Sequence, residues 1–237
     1  MTTWGAVRDM NEVLGVEDLW RIYPMGDSQV KALQGVSFSI FKGEMVAITG
    51  PSGSGKTTLL NCISTLDTYD RGCVRFGGID LATMGDAERT RLRGREMGFI
   101  FQQYHLLPVL TAIENVELPL LLMGVDHKDA RKRALDTLNL MGLKSRANHR
   151  PSELSGGQQQ RVAIARAIVH EPRVLFADEP TGNLDSVTSG SILAALEELN
   201  RVKGLTVILV THDEAVSSRC SRVLSLADGC LLGQEEE

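Results

Sequence analysis

Gly50-Pro51-Ser52-Gly53-Ser54-Gly55-Lys56-Thr57-Thr58 fits the spacing G-x-x-x-x-G-K-[ST]. Before it stands a short apolar run, Met45-Val46-Ala47-Ile48-Thr49, that reads as a buried strand; after it, Thr57-Thr58-Leu59-Leu60-Asn61-Cys62-Ile63 reads as the opening of a helix. Strand, glycine-rich turn and helix in that order predict a phosphate cradle. The glycines let the backbone turn tightly and bring its N–H groups up to the α- and β-phosphates, where the partnerless first N–H groups of the helix also point. Lys56 then reaches the β- and γ-phosphates, and the Thr57 hydroxyl ligates Mg²⁺.

The rest of the composition allows such a site a full domain. With 237 residues and 43% hydrophobic content the chain can bury a sizeable core, as one large domain or a domain with an inserted subdomain. Lys and Arg number 25 against 30 Asp and Glu, a net charge of −5, so the whole-protein field favours neither nucleic acid nor an anionic membrane surface. Residues 1–15 hold no apolar stretch of signal-peptide length. The longest apolar run, Leu118-Pro119-Leu120-Leu121-Leu122-Met123-Gly124-Val125, is far short of the ~20 residues that span a bilayer, so a soluble chain is expected. Cys62, Cys73, Cys220 and Cys230 are scattered without a C-x-x-C pair; neither a zinc site nor a disulfide framework is indicated, and the four are expected to be reduced and mostly buried.

Residues 12–49 read as strands: 13–23, a breaker at Pro24-Met25-Gly26-Asp27, then 30–41, with alternation in Val36-Ser37-Phe38-Ser39-Ile40. Residues 72–78 add a short strand ending in a turn, and 98–102 another. From 103 to 152 the pattern turns helical, with Asp126 and Asp129 at N-cap and N3 positions and Ala134, Leu135, Leu138 and Met141 on one face before Gly142. Beyond 158, helices alternate with the apolar runs Val174-Leu175-Phe176-Ala177 and Val207-Ile208-Leu209-Val210, the signature of a parallel sheet covered by helices. Residues 223–227, Asp228-Gly229 and Cys230-Leu231-Leu232 predict a hairpin with a type I′ turn, and Glu235-Glu236-Glu237 a solvated tail. The expected fold class is α/β, a P-loop NTPase with a mostly parallel central sheet, an N-terminal antiparallel β subdomain and an inserted helical subdomain. No repeat or linker divides the chain.

A phosphate cradle alone does not say what is done with the nucleotide. The strand Val174-Leu175-Phe176-Ala177 ends in Asp178-Glu179, two acids at the carboxyl end of a buried strand, where ligands sit in open α/β sheets. Asp178 is placed to hold Mg²⁺ with Thr57, and Glu179 to polarise the water that attacks the γ-phosphate. Leu154-Ser155-Gly156-Gly157-Gln158 precedes a helix pattern, so Ser155 and the free N–H groups there form a second anion site. The basic run Arg89-Thr90-Arg91-Leu92-Arg93-Gly94-Arg95 lacks interleaved aromatics and reads as a solvated helix face, so no nucleic-acid partner is expected.

Taken together, these stretches resemble the nucleotide-binding subunit of ABC transporters. Residues 50–57 resemble that family's Walker A motif, 174–178 its Walker B motif followed by Glu179, and 154–158 its signature loop. Gln102 after Gly98-Phe99-Ile100-Phe101 resembles the Q-loop glutamine, Asp185 in Asn183-Leu184-Asp185 the D-loop aspartate, His212 the switch histidine, and Tyr23 the aromatic that stacks on adenine, with Phe38 and Trp20 as other candidates for covering the base. The resemblance implies ATP and Mg²⁺ as ligands. It implies catalytic roles for Glu179, His212, Gln102 and Lys56, and metal contacts for Thr57, Gln102 and Asp178. Nucleotide contacts would come from Tyr23, the 50–58 loop, Ser155, Gly156, Gly157, Gln158 and Asp185. It also implies a head-to-tail homodimer in which each signature loop completes the partner's site, and an integral membrane permease as partner. The protein would then lie peripherally at the cytoplasmic face of the inner or plasma membrane. A single domain over 1–237 is expected, with 12–102 and 158–233 as RecA-like core plus β subdomain and 103–157 as helical subdomain. The leucines 106, 107, 110, 118 and 121 mark the surface that meets the permease, although most are expected to be core of the helical segment. The 178–185 and 102–108 phrases look like the branch of lipoprotein-release, macrolide-export and cell-division ATPases. That implies export or mechanotransmission, the alternative being regulation of a cell-division or cell-wall membrane partner without transport.

Overall fold

The computed structural model describes residues 11–26 and 28–235. Asp27 of the expected breaker, Glu236 and Glu237 of the expected tail, and residues 1–10 lie outside the described residues. The chain opens with two long strands, β1 (Glu12–Met25) and β2 (Ser28–Phe41), paired antiparallel with Tyr23 opposite Val30. Pro24 and Met25, expected in the breaker, belong to β1. That is tolerated because Pro24 lies beyond Trp20, the last residue of β1 paired on its other edge, so the missing N–H breaks no ladder bond there.

Next come β3 (Met45–Thr49), α1 (Lys56–Ile63), β4 (Arg71–Phe76) and β5 (Ile79–Asp80). The first sheet has the order β2-β1-β4-β5. The basic run falls on α2 (Asp86–Glu96), which buries no residue, although Arg93 donates to the Thr65 carbonyl and Arg89 to that of Leu81. β6 (Met97–Ile100) stops two residues short of the expected end, leaving Gln102 in a turn.

Three helices follow. α3 (Ala112–Leu122) carries a capping box made by Thr111 and Glu114. In α4 (His127–Leu140) Asp126 caps by accepting from the Lys128 N–H, and Gly142 past the end has φ +71°. Then comes α5 (Gly156–Ile168). The remaining elements are β7 (Val174–Asp178), α6 (Ser186–Lys203), β8 (Thr206–Val210), α7 (Glu214–Ser217), β9 (Arg222–Ala227) and β10 (Cys230–Glu235). Asp228 and Gly229 both have positive φ, 47° and 77°, as a type I′ turn requires. β10 runs through Glu235, so the solvated tail does not begin there.

The second sheet has the order β10-β9-β3-β8-β7-β6, parallel except for the edge strand β10. Its central strands are buried on both faces, and alternate residues feed two cores. Ala47, Leu175, Ala177, Val207 and Leu209 point to the helical side. Val46, Ile48, Val174, Phe176, Ile208 and Val210 point to α1 and the antiparallel sheet. This two-sided clamp is why the strands read as unbroken apolar runs, and it fixes their carboxyl ends rigidly at one edge.

Two expectations fail. Of the four cysteines only Cys62 is buried, while Cys230 is exposed; Cys230 follows a hairpin turn at the sheet edge, where nothing covers it. Full burial of Cys62 and partial burial of Cys220 push their thiols up to about 12, so both stay protonated. None of the five leucines is fully buried: Leu106, Leu110, Leu118 and Leu121 are half-buried and Leu107 is exposed. The interior of the helical segment is filled instead by Val116, Leu120, Ala134 and Leu138, which leaves those leucines at its margin.

Candidate functional site

At the carboxyl edge of the second sheet lies an open cavity of about 1120 Å³. The 50–58 loop forms its floor, and the loop's shape depends on its glycines. Gly50 has φ +143° and a Cβ there would strike the Leu226 carbonyl; Gly55 has φ +101° and a Cβ would strike that of Ala32. Gly50, Pro51, Ser52, Gly53, Gly55, Lys56, Thr57 and Thr58 all line the cavity. Ser54 does not: it is 3% exposed, and its backbone ties the loop down by donating to the Pro51 carbonyl and accepting from the Gly229 N–H. Lys56 is 9% exposed as a residue, and its ammonium donates to the carbonyls of Gly50 and Pro51 at 2.9 and 2.8 Å, so the loop curls around its own cation.

β7 brings Asp178 to the same place, with Oδ1 3.5 Å from the Thr57 hydroxyl. Burial raises the Asp178 carboxyl above its ordinary value and the neighbouring Glu179 charge adds to this, against the opposing effects of Thr57 and Lys56. A cation at these two oxygens would reverse that balance. Hydroxyl and carboxylate oxygens are the hard donors Mg²⁺ takes, and among the described residues no cluster of three or more His, Cys, Asp or Glu builds an all-protein cage. That suits an ion that keeps waters and shares phosphate oxygens.

Glu179 itself sits at φ +46°, a conformation uncommon outside glycine, pinned by its N–H to the Val210 carbonyl at 3.0 Å. Its Oε1 lies 2.8 Å from Nδ1 of His212, just past β8. Gln102 also borders the cavity. Its Nε2 is 3.5 Å from Asn183 Oδ1 and its carbonyl accepts from the Asn183 amide at 3.0 Å, a bracket that sequence reading missed because its two halves stand 81 positions apart.

Of the three aromatic candidates for the base, only Tyr23 lines the cavity. Phe38 is core at 5% exposure, and the Trp20 indole N–H is tied to Asp18. The Tyr23 hydroxyl donates to Asp67, a second partner that no local pattern announced.

The other predicted residues stand outside the cavity. Ser155 caps α5, its hydroxyl accepting from the Gln158 N–H while the Gln158 side chain accepts from the Ser155 N–H. Gly156 and Gly157 form the first turn of that helix, and a Cβ on Gly157 would strike the Thr188 methyl. Asp185 caps α6, accepting from Val187, Thr188 and the Thr188 hydroxyl, and the Thr188 bonds hold its carboxyl below the ordinary value. Gly157 and the cap of α6 therefore lie side by side, and neither lines the cavity.

The family model described as ABC transporter matches residues 33–182. An uncharacterized ABC transporter ATP-binding protein of Thermotoga maritima is 47% identical over 226 residues, 95% of this chain and 96% of that one. The lipoprotein-releasing system ATP-binding protein LolD of Legionella pneumophila (strain Paris) is 45% identical over 95% of this chain and all of its own length. Among solved structures, the ATP-binding cassette MJ0796, a dimer in a post-hydrolysis state bound to ADP and Pi, superposes with a TM-score of 0.87 at 44% identity, covering 94% of this chain and 98% of that one. The chain thus has the α/β P-loop fold of an ABC cassette, belongs to the ABC transporter ATP-binding family, and is an ATPase of that family.

Proposed function

We propose that the protein binds and hydrolyses ATP with Mg²⁺ as a head-to-tail homodimer, and that the opening and closing of the pair drives an integral membrane permease of the export or mechanotransmission type. The observation that carries this reading is that the chain holds two glycine-rich helix N-termini, residues 50–58 and 155–158, and only the first lines the cavity with Asp178, Glu179 and His212. Residues 155–158 then have a nucleotide to meet only on a second copy.

In this reading the 50–58 loop and Lys56 hold the phosphates. Thr57 and Asp178 hold Mg²⁺, which supplies charge neutralisation at the phosphate oxygens. Glu179 draws the proton of the attacking water toward its carboxylate, and His212 keeps that carboxylate aimed through the 2.8 Å contact while offering its other nitrogen to the γ-phosphate. Gln102 connects the γ-phosphate region to residues 103–157, the helical unit, which stands on the nucleotide-binding unit of 12–102 and 158–233. Leu107, Val109, Leu122 and Met123 are exposed on that helical unit and suit a permease contact. No described helix is long and apolar enough to cross a membrane, in keeping with attachment through a partner at the cytoplasmic face. The relatives named for lipoprotein release support the export branch.

Mixing two defective chains tests the shared site. Lys56→Ala removes a phosphate contact and Ser155→Arg blocks the second element; a mixed dimer places both defects in one interface and leaves the other intact. Partial recovery of ATPase activity is expected on mixing. A Ser52→Cys/Ser155→Cys chain should also cross-link between subunits in ATP. Absence of both recovery and cross-link overturns the shared site, and purification of the tagged chain from membranes free of any integral membrane protein overturns the permease.

A further inference from the structure

Tyr23 is held from two directions before any nucleotide arrives. Its hydroxyl donates to Asp67 Oδ2 at 2.6 Å. Arg21 is two positions back on β1. Its guanidinium carbon lies 4.5 Å from the Tyr23 ring centroid. The same guanidinium binds Asp67 at 2.9 and 3.2 Å and approaches Asp70 at 3.7 Å. The Arg21 side chain is mostly buried, 16% exposed, and its Nε is buried without a hydrogen-bond partner. Burial pushes the Asp67 carboxyl up, but the bonds from Tyr23 and the Thr68 N–H, with Arg21, outweigh it and hold the group ionised.

Asp67 is itself fixed to the phosphate end of the site. Its N–H and that of Leu66 donate to the Asn61 carbonyl near the last turn of α1, and Cys62 Sγ donates to the Thr68 carbonyl. The first residue of that helix is Lys56. A tyrosine ring turns about a broad torsion, yet here the hydroxyl bond fixes its tip and the guanidinium covers one face, leaving the cavity side as the presented face.

We propose that Asp67 and Arg21 are positioning residues that lock the Tyr23 ring as a preformed platform for a purine base, at a set distance from the phosphate loop. Their effect is confined to the base-dependent part of nucleotide affinity. Rigid presentation spares the ring the loss of rotational freedom on binding, so the clamp strengthens stacking without touching the ligand. This inference rests on the reading of Tyr23 as the base-stacking residue, and the test separates the two.

The experiment measures equilibrium binding of ATP and of tripolyphosphate, both with Mg²⁺, to the full chain and its variants. Stacking is worth about 1–3 kcal/mol, so Tyr23→Ala should weaken ATP binding about 5–150-fold and leave tripolyphosphate binding unchanged. Asp67→Ala and Tyr23→Phe should each weaken ATP binding several-fold, again without affecting tripolyphosphate. Asp67→Ala should add nothing in the Tyr23→Phe background, and Asp67→Asn, whose amide oxygen still accepts from the hydroxyl, should keep most of the affinity. An unchanged ratio of ATP to tripolyphosphate affinity in Tyr23→Ala overturns the platform and the clamp together. A changed ratio in Tyr23→Ala with none in Asp67→Ala overturns the clamp alone. Equal loss of both ligands in Asp67→Ala and Asp67→Asn makes Asp67 a prop of α1, which also overturns it.

Discussion

Residues 50–58 and residues 155–158 are both glycine-rich turns that open a helix, and the chain surrounds them very differently. Around the first it closes a cavity, with two acids from the end of β7, a histidine past β8 and an aromatic from β1. Around the second it provides a capping box, in which Ser155 and Gln158 satisfy each other, with Tyr104 and Leu184 against Gly156 and the flank of α6 at Thr188 against Gly157. Free N–H groups at a helix start attract anions wherever they occur. What makes one of these turns a reaction site is the set of groups that a rigid, doubly covered sheet delivers beside it. In the proposed function the other turn acts only when a second copy of the chain brings a nucleotide to it.

The sharpest way to break that contrast is at Glu179. Glu179→Gln keeps the shape and leaves an amide oxygen to accept from His212 Nδ1, but a carboxamide cannot take up the proton of the attacking water. Single-turnover phosphate release should fall about 10²–10⁴-fold, the range for a general base, while ATP binding is retained. The ATP-bound dimer should then persist, visible by size-exclusion chromatography. Turnover close to the unmodified chain would place the base elsewhere and remove the chemical distinction between the two turns.

A smaller effect is expected at the second turn, where the neighbour is known. A methyl on Gly157 meets the Thr188 methyl, and Thr188 cannot swing away freely because its hydroxyl donates to Asp185 at 2.6 Å. Overpacking of this kind costs about 1–3 kcal/mol, so Gly157→Ala should lower steady-state ATPase by about 5–150-fold through dimer closure. ATP affinity of the separate chain should not change. Thr188→Ser removes the offending methyl and keeps the hydroxyl bond, so the double variant should recover most of the activity. Failure of that rescue would show that the glycine serves something other than its fit against α6.

How much of this was legible beforehand follows from the range of each interaction. The phosphate loop, the strand that ends in Asp178-Glu179 and the Asp228-Gly229 hairpin are written in consecutive residues, because each depends on local backbone geometry. The alternation of apolar runs with helices similarly announced the parallel sheet. What stayed hidden depends on chain segments meeting from afar. Tyr23 finds Asp67 44 positions away, and Gln102 finds Asn183 81 positions away. Ser54 reads as one more loop residue until Gly229 is seen beneath it. The leucines misled for a related reason: apolarity says that a residue prefers cover, and only the packing of α3 on α4 and α5 shows that Val116 and Leu120 take that cover first. Their residual exposure is what would suit them to the proposed permease contact rather than to a core, and composition cannot report it.

The mildest prediction concerns the segment that leads from Gln102 into that surface. Asn115, on α3, is fully buried and spends its whole side chain on the preceding loop. Oδ1 accepts from the Leu107 N–H at 2.7 Å, and Nδ2 donates to the carbonyls of Leu107, Leu110 and Thr111 at 3.1, 3.2 and 3.0 Å. Asn115→Leu strands these backbone groups at a cost of about 1–3 kcal/mol, and for a chain of this size each kcal/mol lowers Tm by about 2–4 °C. Asn115 does not line the nucleotide cavity, so ATP affinity and the basal hydrolysis of the purified protein should not change. Asn115→Asp sharpens the point through its pH dependence. A carboxylate placed among carbonyl oxygens and out of water has its pKa raised in the folded state, so the unfolded chain releases that proton more readily. The variant should then be close to Asn115→Leu or better in acid and lose stability as pH rises above the ordinary carboxylate range, the opposite of a solvent-exposed aspartate. Equal melting temperatures for the two variants at every pH, or a loss of ATP affinity without a loss of thermal stability, would mean that the loop is held by something other than this amide and that the two regions are not separable in the way the cavity lining implies.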